Sequence, residues 1–286
     1  MKAIVVTFFI LILANIANGQ SVAGTVLEDA TGMPLEYVSI GVMNTVYGTI
    51  TDEMGRFTLT LKAVSDHDTV RVSMIGYHAR KFPLSSLVNR ENLVKLDREA
   101  VRLPEIVIKP SGVFRKCGTT NFTWHGEVCG WGGTDFGKGY EIGLTIDLGN
   151  LPVSLQSLGV RLAKQSFDSS FFRLHIREIE NNLPGRELLA RNIILCFTAE
   201  SGWVETDLRR YNLVFRGEIA VTLEWVKVSG TDNRKMKKMN GSACATEVVL
   251  FSEKKGRGCA FTRWGTEAKW TRHDESSPSF YLEIEQ

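Results

Sequence analysis

Histidine is scarce in this chain, with five in 286 residues, and proline is nearly as rare at seven. Cysteine also occurs five times, at Cys117, Cys129, Cys196, Cys244 and Cys259, all in the second half. Their wide, uneven spacing lacks the close ligand pairs that structural zinc sites need. No G-x-S-x-G elbow is present, so the α/β-hydrolase nucleophile is missing. Basic and acidic side chains nearly balance, 34 against 32, and no bulk field draws the chain to nucleic acid. Beyond residue 14 no apolar run is long enough to cross a bilayer.

What is present begins with an export signal. Lys2 supplies a positive start, Ala3 to Ala14 form an apolar run, and Ala17 and Gly19 stand at the small-residue positions of a cleavage site. Cleavage after Gly19 is expected, leaving Gln20 first and lowering the net charge from +2 to +1. No cysteine follows, so a lipoprotein anchor is not expected. The expected location is the periplasm, the outer membrane surface or the medium, with no transmembrane segment in the mature chain.

Residues 20–109 read as short strands between polar turns. "YVSIGVMN" places Val38, Ile40 and Val42 on one face, and "RFTLTL" places Phe57, Leu59 and Leu61 on one face against Arg56, Thr58 and Thr60. "DTVRVSM" does the same with Val70, Val72 and Met74. About seven strands in this length predict a small antiparallel β-sandwich. In "TDEMG", Asp52 and Gly55 hold the first and fourth places of a type I turn, which predicts a hairpin corner.

Several of these stretches resemble one family. "GTVLEDATGMPLEYVSIGV", "GTITDEMGRFTL", "VSMIGY" and "LPEIVI" occur in the order found in the carboxypeptidase-regulatory-like domain, over residues 22–108. The resemblance implies a transthyretin-like (Ig-like) β-sandwich, common at the N-termini of exported and outer-membrane proteins of Bacteroidota-type bacteria. It further implies a non-catalytic module that supports or docks a neighbour. Many relatives precede an outer-membrane barrel, but the remaining chain is too short for one, so transport is not carried over.

Residues 110–120 are expected to be a linker, with Pro110, Ser111 and Gly112 breaking the preceding strand. Residues 121–286 again read as strands, including "YEIGLTIDLG", "SLGVRLAK", "FFRLHIREIE", "GWVETDL", "EIAVTLEWVKV", "TEVVLFS" and "SFYLEIEQ". The expectation is a larger, jelly-roll-like sandwich, making the whole chain all-β. This half otherwise resembles only uncharacterised envelope proteins. Cys117–Cys129 and Cys244–Cys259 are the short-loop disulfide candidates for an oxidising compartment.

Motifs that imitate catalytic sites fail on physics. "HIRE", His175 to Glu178, has metallocarboxypeptidase spacing, yet on a strand those two side chains point to opposite faces and cannot share one metal. The expected role of His175 and Arg177 is an outward polar face. "HGEVC", residues 125–129, lacks the P-C-x-x-C of zinc deaminases. "GGTDFGKG", residues 132–139, nearly spells a phosphate loop but ends in Gly139 and leads into a strand.

The six tryptophans all fall in the second half. Trp225 reads as core, whereas Trp131 among glycines and Trp270 between Lys269 and Arg272 read as exposed candidates for sugar stacking. Lys237 and Lys238 belong to a basic loop that could meet anionic glycan or lipid headgroups. The expected function is therefore non-catalytic binding of a glycan or an envelope protein partner, with Trp131, Trp270, Lys237 and Lys238 as contacts on end loops. No catalytic residue, metal or cofactor is expected. The alternatives are a structural accessory subunit of an envelope assembly, or a hydrolase whose paired carboxylates the sequence does not reveal.

Overall fold

The computed structural model describes residues 20–62, 64–99, 112–122, 128–132, 138–230, 238–239, 242–243, 248–255 and 258–286. The expected leader, 1–19, lies outside them. The described residues form strands and two short 3-10 turns, with no α-helix, so the all-β expectation holds. No helix among them is long and apolar enough to cross a membrane.

The first unit holds β1 (Gln20–Glu28), β2 (Ser39–Val42), β3 (Gly48–Ile50), β4 (Arg56–Leu61), β5 (Thr69–Ser73), β6 (Arg80–Pro83) and β7 (Glu91–Leu96). They make two sheets, ordered β4-β1-β7 and β3-β2-β5-β6. Alternation places Phe57, Leu59 and Leu61 in the core with Val22, Val26, Ile40, Val42, Val70 and Val72. Two expectations need correction. The sandwich is not wholly antiparallel, because β7 returns parallel to β1. The 52–55 turn forms as expected, with Asp52 Oδ1 accepting the Met54 and Arg56 amides at 2.9 Å and Gly55 at φ +71°. It is not a hairpin, however. β3 pairs with β2 and β4 with β1, so the turn arches from one sheet to the other and lets both strands face the core.

The second unit holds β8 (Phe114–Gly118), β9 (Val128–Gly132), β10 (Tyr140–Asp147), β11 (Val153–Gln165), β12 (Ser169–Glu180), β13 (Leu183–Glu187), β14 (Ile194–Phe197), β15 (Gly202–Asp207) and β16 (Val214–Phe215). It continues through β17 (Glu218–Ser229), β18 (Lys238–Met239), β19 (Ser242–Ala243), β20 (Val248–Lys255), β21 (Ala260–Trp264), β22 (Thr271–His273), β23 (Ser276–Pro278) and β24 (Phe280–Glu285). One sheet runs β13-β12-β17-β10-β21-β22, with β14 beside β12. The other runs β23-β20-β11-β24-β8, with β15 and β16 on β11 and β9 on β20. The core between them is centred on Phe172, whose ring lies 5.3 Å from Phe197, 5.5 Å from Phe251 and 6.2 Å from Trp225. Trp225 is buried, as expected.

The expected linker is shorter than 110–120, because residues 114–118 are β8 and pair with β24 inside the second unit. The disulfide expectation also fails at Cys117 and Cys259, which are free thiols. Cys117 on β8 lies across from Leu282 of β24, which pairs with Leu158 of β11, and Cys129 on β9 lies across from Phe251 of β20, which pairs with Leu162 of β11 on the same side. The four residue steps along β11 from Leu158 to Leu162, at ~3.3 Å each, offset them by roughly 13 Å, beyond disulfide reach. Cys244 lies outside the described residues, as do the side chain of Cys129 and most of the 132–139 loop.

Candidate functional site

The densest cluster of ionisable side chains lies on a sheet face, not on an end loop. Strand register builds it. Arg173 on β12 is opposite Glu224 on β17, Glu224 is opposite Glu141 on β10, and Glu141 is opposite Arg263 on β21. Four adjacent strands thus carry a row reading plus, minus, minus, plus. His175 and Arg177, two and four positions along β12, share the row's face because side chains alternate. Leu174 and Ile176 between them enter the core behind it.

Every charge in the row is matched. Arg173 Nη1 is 2.8 Å from Glu224. Arg177 Nη1 donates to Glu141 at 2.7 Å and to Thr222 at 2.7 Å, and Arg263 donates to Glu141 from the far side. His175 Nδ1 is 2.6 Å from Glu187, and its Nε2 is 3.1 Å from Glu224. Burial alone would raise the carboxyl groups of Glu141, Glu224 and Glu187. The neighbouring guanidinium groups and His175 outweigh it and hold all three below the ordinary carboxylate range.

The row is buried because the first unit sits on it. Ser39 Oγ donates to Glu224 at 3.2 Å and accepts from Arg173 at 2.9 Å. Arg173 also donates to the carbonyl of Tyr37, a non-glycine residue held in the left-handed region at φ +63°. Beside it, Arg71 pairs with Glu267 at 2.7 Å, Lys227 pairs with Glu53, and the Asn44 amide donates to the Glu267 carbonyl at 3.0 Å. Thr266 then fits against Gly41 and Gly48, cross-strand partners on β2 and β3. A β-carbon at Gly48 would lie 2.8 Å from Thr266 Oγ1, and one at Gly41 closer still. Neither glycine has positive φ, so their value here is the space they leave.

The fold and this interface account for one-third of the chain by family. Residues 22–108 match the family model of the CarboxypepD_reg-like domain. No curated protein matches the chain. The CarboxypepD_reg-like domain therefore supplies Tyr37, Ser39, Gly41, Gly48, Glu53 and Arg71, the residues that cover the row or lock onto its surroundings.

Beyond the covered row, the two units leave a cleft of about 990 Å³. Arg71, Ser73, Met74 and Tyr77 of the CarboxypepD_reg-like domain line one side. Arg173, His175, Arg177, Arg263 and Trp270 belong to the other. Glu141, His175 and Glu224 place three potential ligand atoms within 4.8 Å of one another. Their chemistry does not suit a cation. Both Glu141 oxygens accept from arginine, both Glu224 oxygens have partners, and three guanidinium groups already supply the positive charge.

His175 and Arg177 were expected outward on a wet face. They point away from their own core, as expected, yet both are buried by the second layer. His175 and Glu178 do take opposite sides, since Glu178 pairs instead with Arg186. Of the expected contacts, Trp270 is the one whose side chain is described, and it reaches this site. It is half-buried, with the guanidinium of Arg263 4.7 Å and that of Arg177 5.5 Å from its ring centre. Lys237 lies outside the described residues, as do the side chains of Trp131 and Lys238, so the four do not form one described site. Among the described residues the exposed tryptophans are Trp203 and Trp264, which sequence reasoning passed over. It also missed Glu141, Arg173, Glu224 and Arg263. The available signal was Arg173, His175 and Arg177 alternating with Leu174 and Ile176 on one strand, facing Thr222 and Glu224 on another.

Proposed function

We propose that this is an exported, non-catalytic binding protein of the cell envelope, whose ligand lies in the cleft between the CarboxypepD_reg-like domain and the second sandwich. One observation carries the reading: the cleft is walled by both units and floored by side chains already fixed by ion pairs. A ligand there meets a preorganised surface, which lowers the ordering cost of binding. The cleft volume lies in the range of small-ligand sites. His175 argues against acid–base chemistry, because both ring nitrogens face carboxylates and neither is free for a substrate proton. The first domain acts as a docking module that completes the site.

A glycan array run with the mature chain and with Gly41→Val tests this. The reading expects glycan signal from the mature chain that is lost in Gly41→Val, because displaced domains no longer share a cleft. Equal signal from both proteins puts binding elsewhere and sinks the reading.

A further inference from the structure

Resting on that cleft as the binding place, we infer that its ligand is an acidic oligosaccharide, with carboxylates on its sugar rings. Seven arginines line the cleft against four glutamates, with no aspartate or lysine. Even with Glu141 counted beneath them, cationic charge is in excess. Arginine cannot shed its charge, and its planar fork matches a carboxylate.

The donors are also incompletely used. Arg173 is 1% exposed, yet its Nε has no acceptor, and the buried Nε of Arg263 has none either. Arg71 uses one nitrogen, on Glu267. Arg216, at the cleft margin, has no ion-pair partner among the described residues. Buried N–H groups without acceptors are uncommon in folded proteins and mark where an acceptor belongs.

Aromatic rings share the space: Trp270 beside Arg263, and Phe215 next to Arg216. Rings stack on sugar faces while arginines take the acid groups, so a uronate unit satisfies both. An extended peptide fits less well. Among the edge strands bordering the cleft, β13 is five residues long and contains Pro184, which has no N–H for strand addition, and β16 is only two residues long.

The probes are tetragalacturonate, its fully methyl-esterified form and tetraglutamate, titrated calorimetrically into the mature chain. Hydrogen exchange of residues 185–191 and 211–216 is followed in parallel. Tetragalacturonate is expected to bind and protect both segments. Affinity is expected to fall at least ten-fold on esterification, on Arg263→Gln and on Arg216→Glu. Arg216 is exposed, with no ion-pair partner among the described residues, so its variant keeps the test valid if Arg263→Gln fails to fold. Equal binding of the ester, no effect of Arg216→Glu, or tighter binding of tetraglutamate overturns the inference. If the ester still protects both segments, the acid class is wrong and the cleft stands. If tetragalacturonate binds without protecting them, or no probe binds, the inference falls; in the first of these cases the cleft reading falls with it.

Discussion

The second sandwich has two outer faces, both written by the same alternation, and they have opposite fates. On one, Arg173, Glu224 and Glu141 are buried in a row beneath the CarboxypepD_reg-like domain, with Arg263 mostly buried at its end. On the other, Lys116 of β8 meets Glu205 of β15 at 3.2 Å and the Tyr281 hydroxyl at 2.9 Å, with Trp203 5.1 Å from the Tyr281 ring. That ion pair is half-exposed at both ends. Water screens it, and such pairs contribute at most about 1 kcal/mol. In the covered row burial removes most of that screening, so each charge depends on its partner, and stranding one costs about 3–5 kcal/mol. What separates the faces is the layer above, not the residues within.

The sharpest way to break this contrast is Glu141→Ala. It strands Arg177 and Arg263 against a buried sheet face, and about 3–5 kcal/mol of unfolding free energy should vanish in urea titrations. A loss below 1 kcal/mol would mean the row is wet and the two faces are equivalent.

Titration probes the same row without mutation. Glu141, Glu224 and Glu187 are depressed in the folded state relative to the ordinary value of 4.5. Their contribution is therefore complete above pH 4.5 and drains away as pH falls through their folded values. Urea midpoints should drop steeply below pH 4.5, and the drop should be shallower in Glu187→Gln. A flat profile from pH 5 to pH 3 contradicts the ion-pair account.

Gly48→Val asks whether the cover is keyed to its seat. The new side chain collides with Thr266, and overpacking of this kind costs about 1–3 kcal/mol. Small-angle scattering should report a larger maximum dimension as the domains part, and an unchanged envelope argues against the glycine seat. The smallest effect is expected at Lys116→Ala, under about 1 kcal/mol in the urea midpoint and smaller still in high salt. A larger loss would show that the open face is not screened as supposed.

Much of the fold was legible. The strands over 140–147, 169–180, 218–229 and 280–285 follow directly from alternating apolar residues, because burying one face of a strand imposes a period of two. The turn at 52–55 was legible because Asp52 and Gly55 act locally. Its partners were not: whether β3 and β4 pair or cross between sheets depends on strands far away in the chain. The Cys117–Cys129 candidate failed for the same reason, since β8 and β9 pair with different strands and the two residues are offset along the sheet.

The candidate site was half legible. That Arg173, His175 and Arg177 share a face follows from β12 alone. That this face meets Glu141 and Glu224 requires strand register across three strands, and that it is dry requires a second domain. By itself, the amino-acid order determined which side of each strand is apolar and which local turns form, because those depend on neighbours a few residues apart. Only the tertiary structure decided which polar face becomes an interior. Water is excluded by whatever lies across the gap, and here Ser39 and the Gly41–Gly48 seat cover residues more than 90 positions away in the chain.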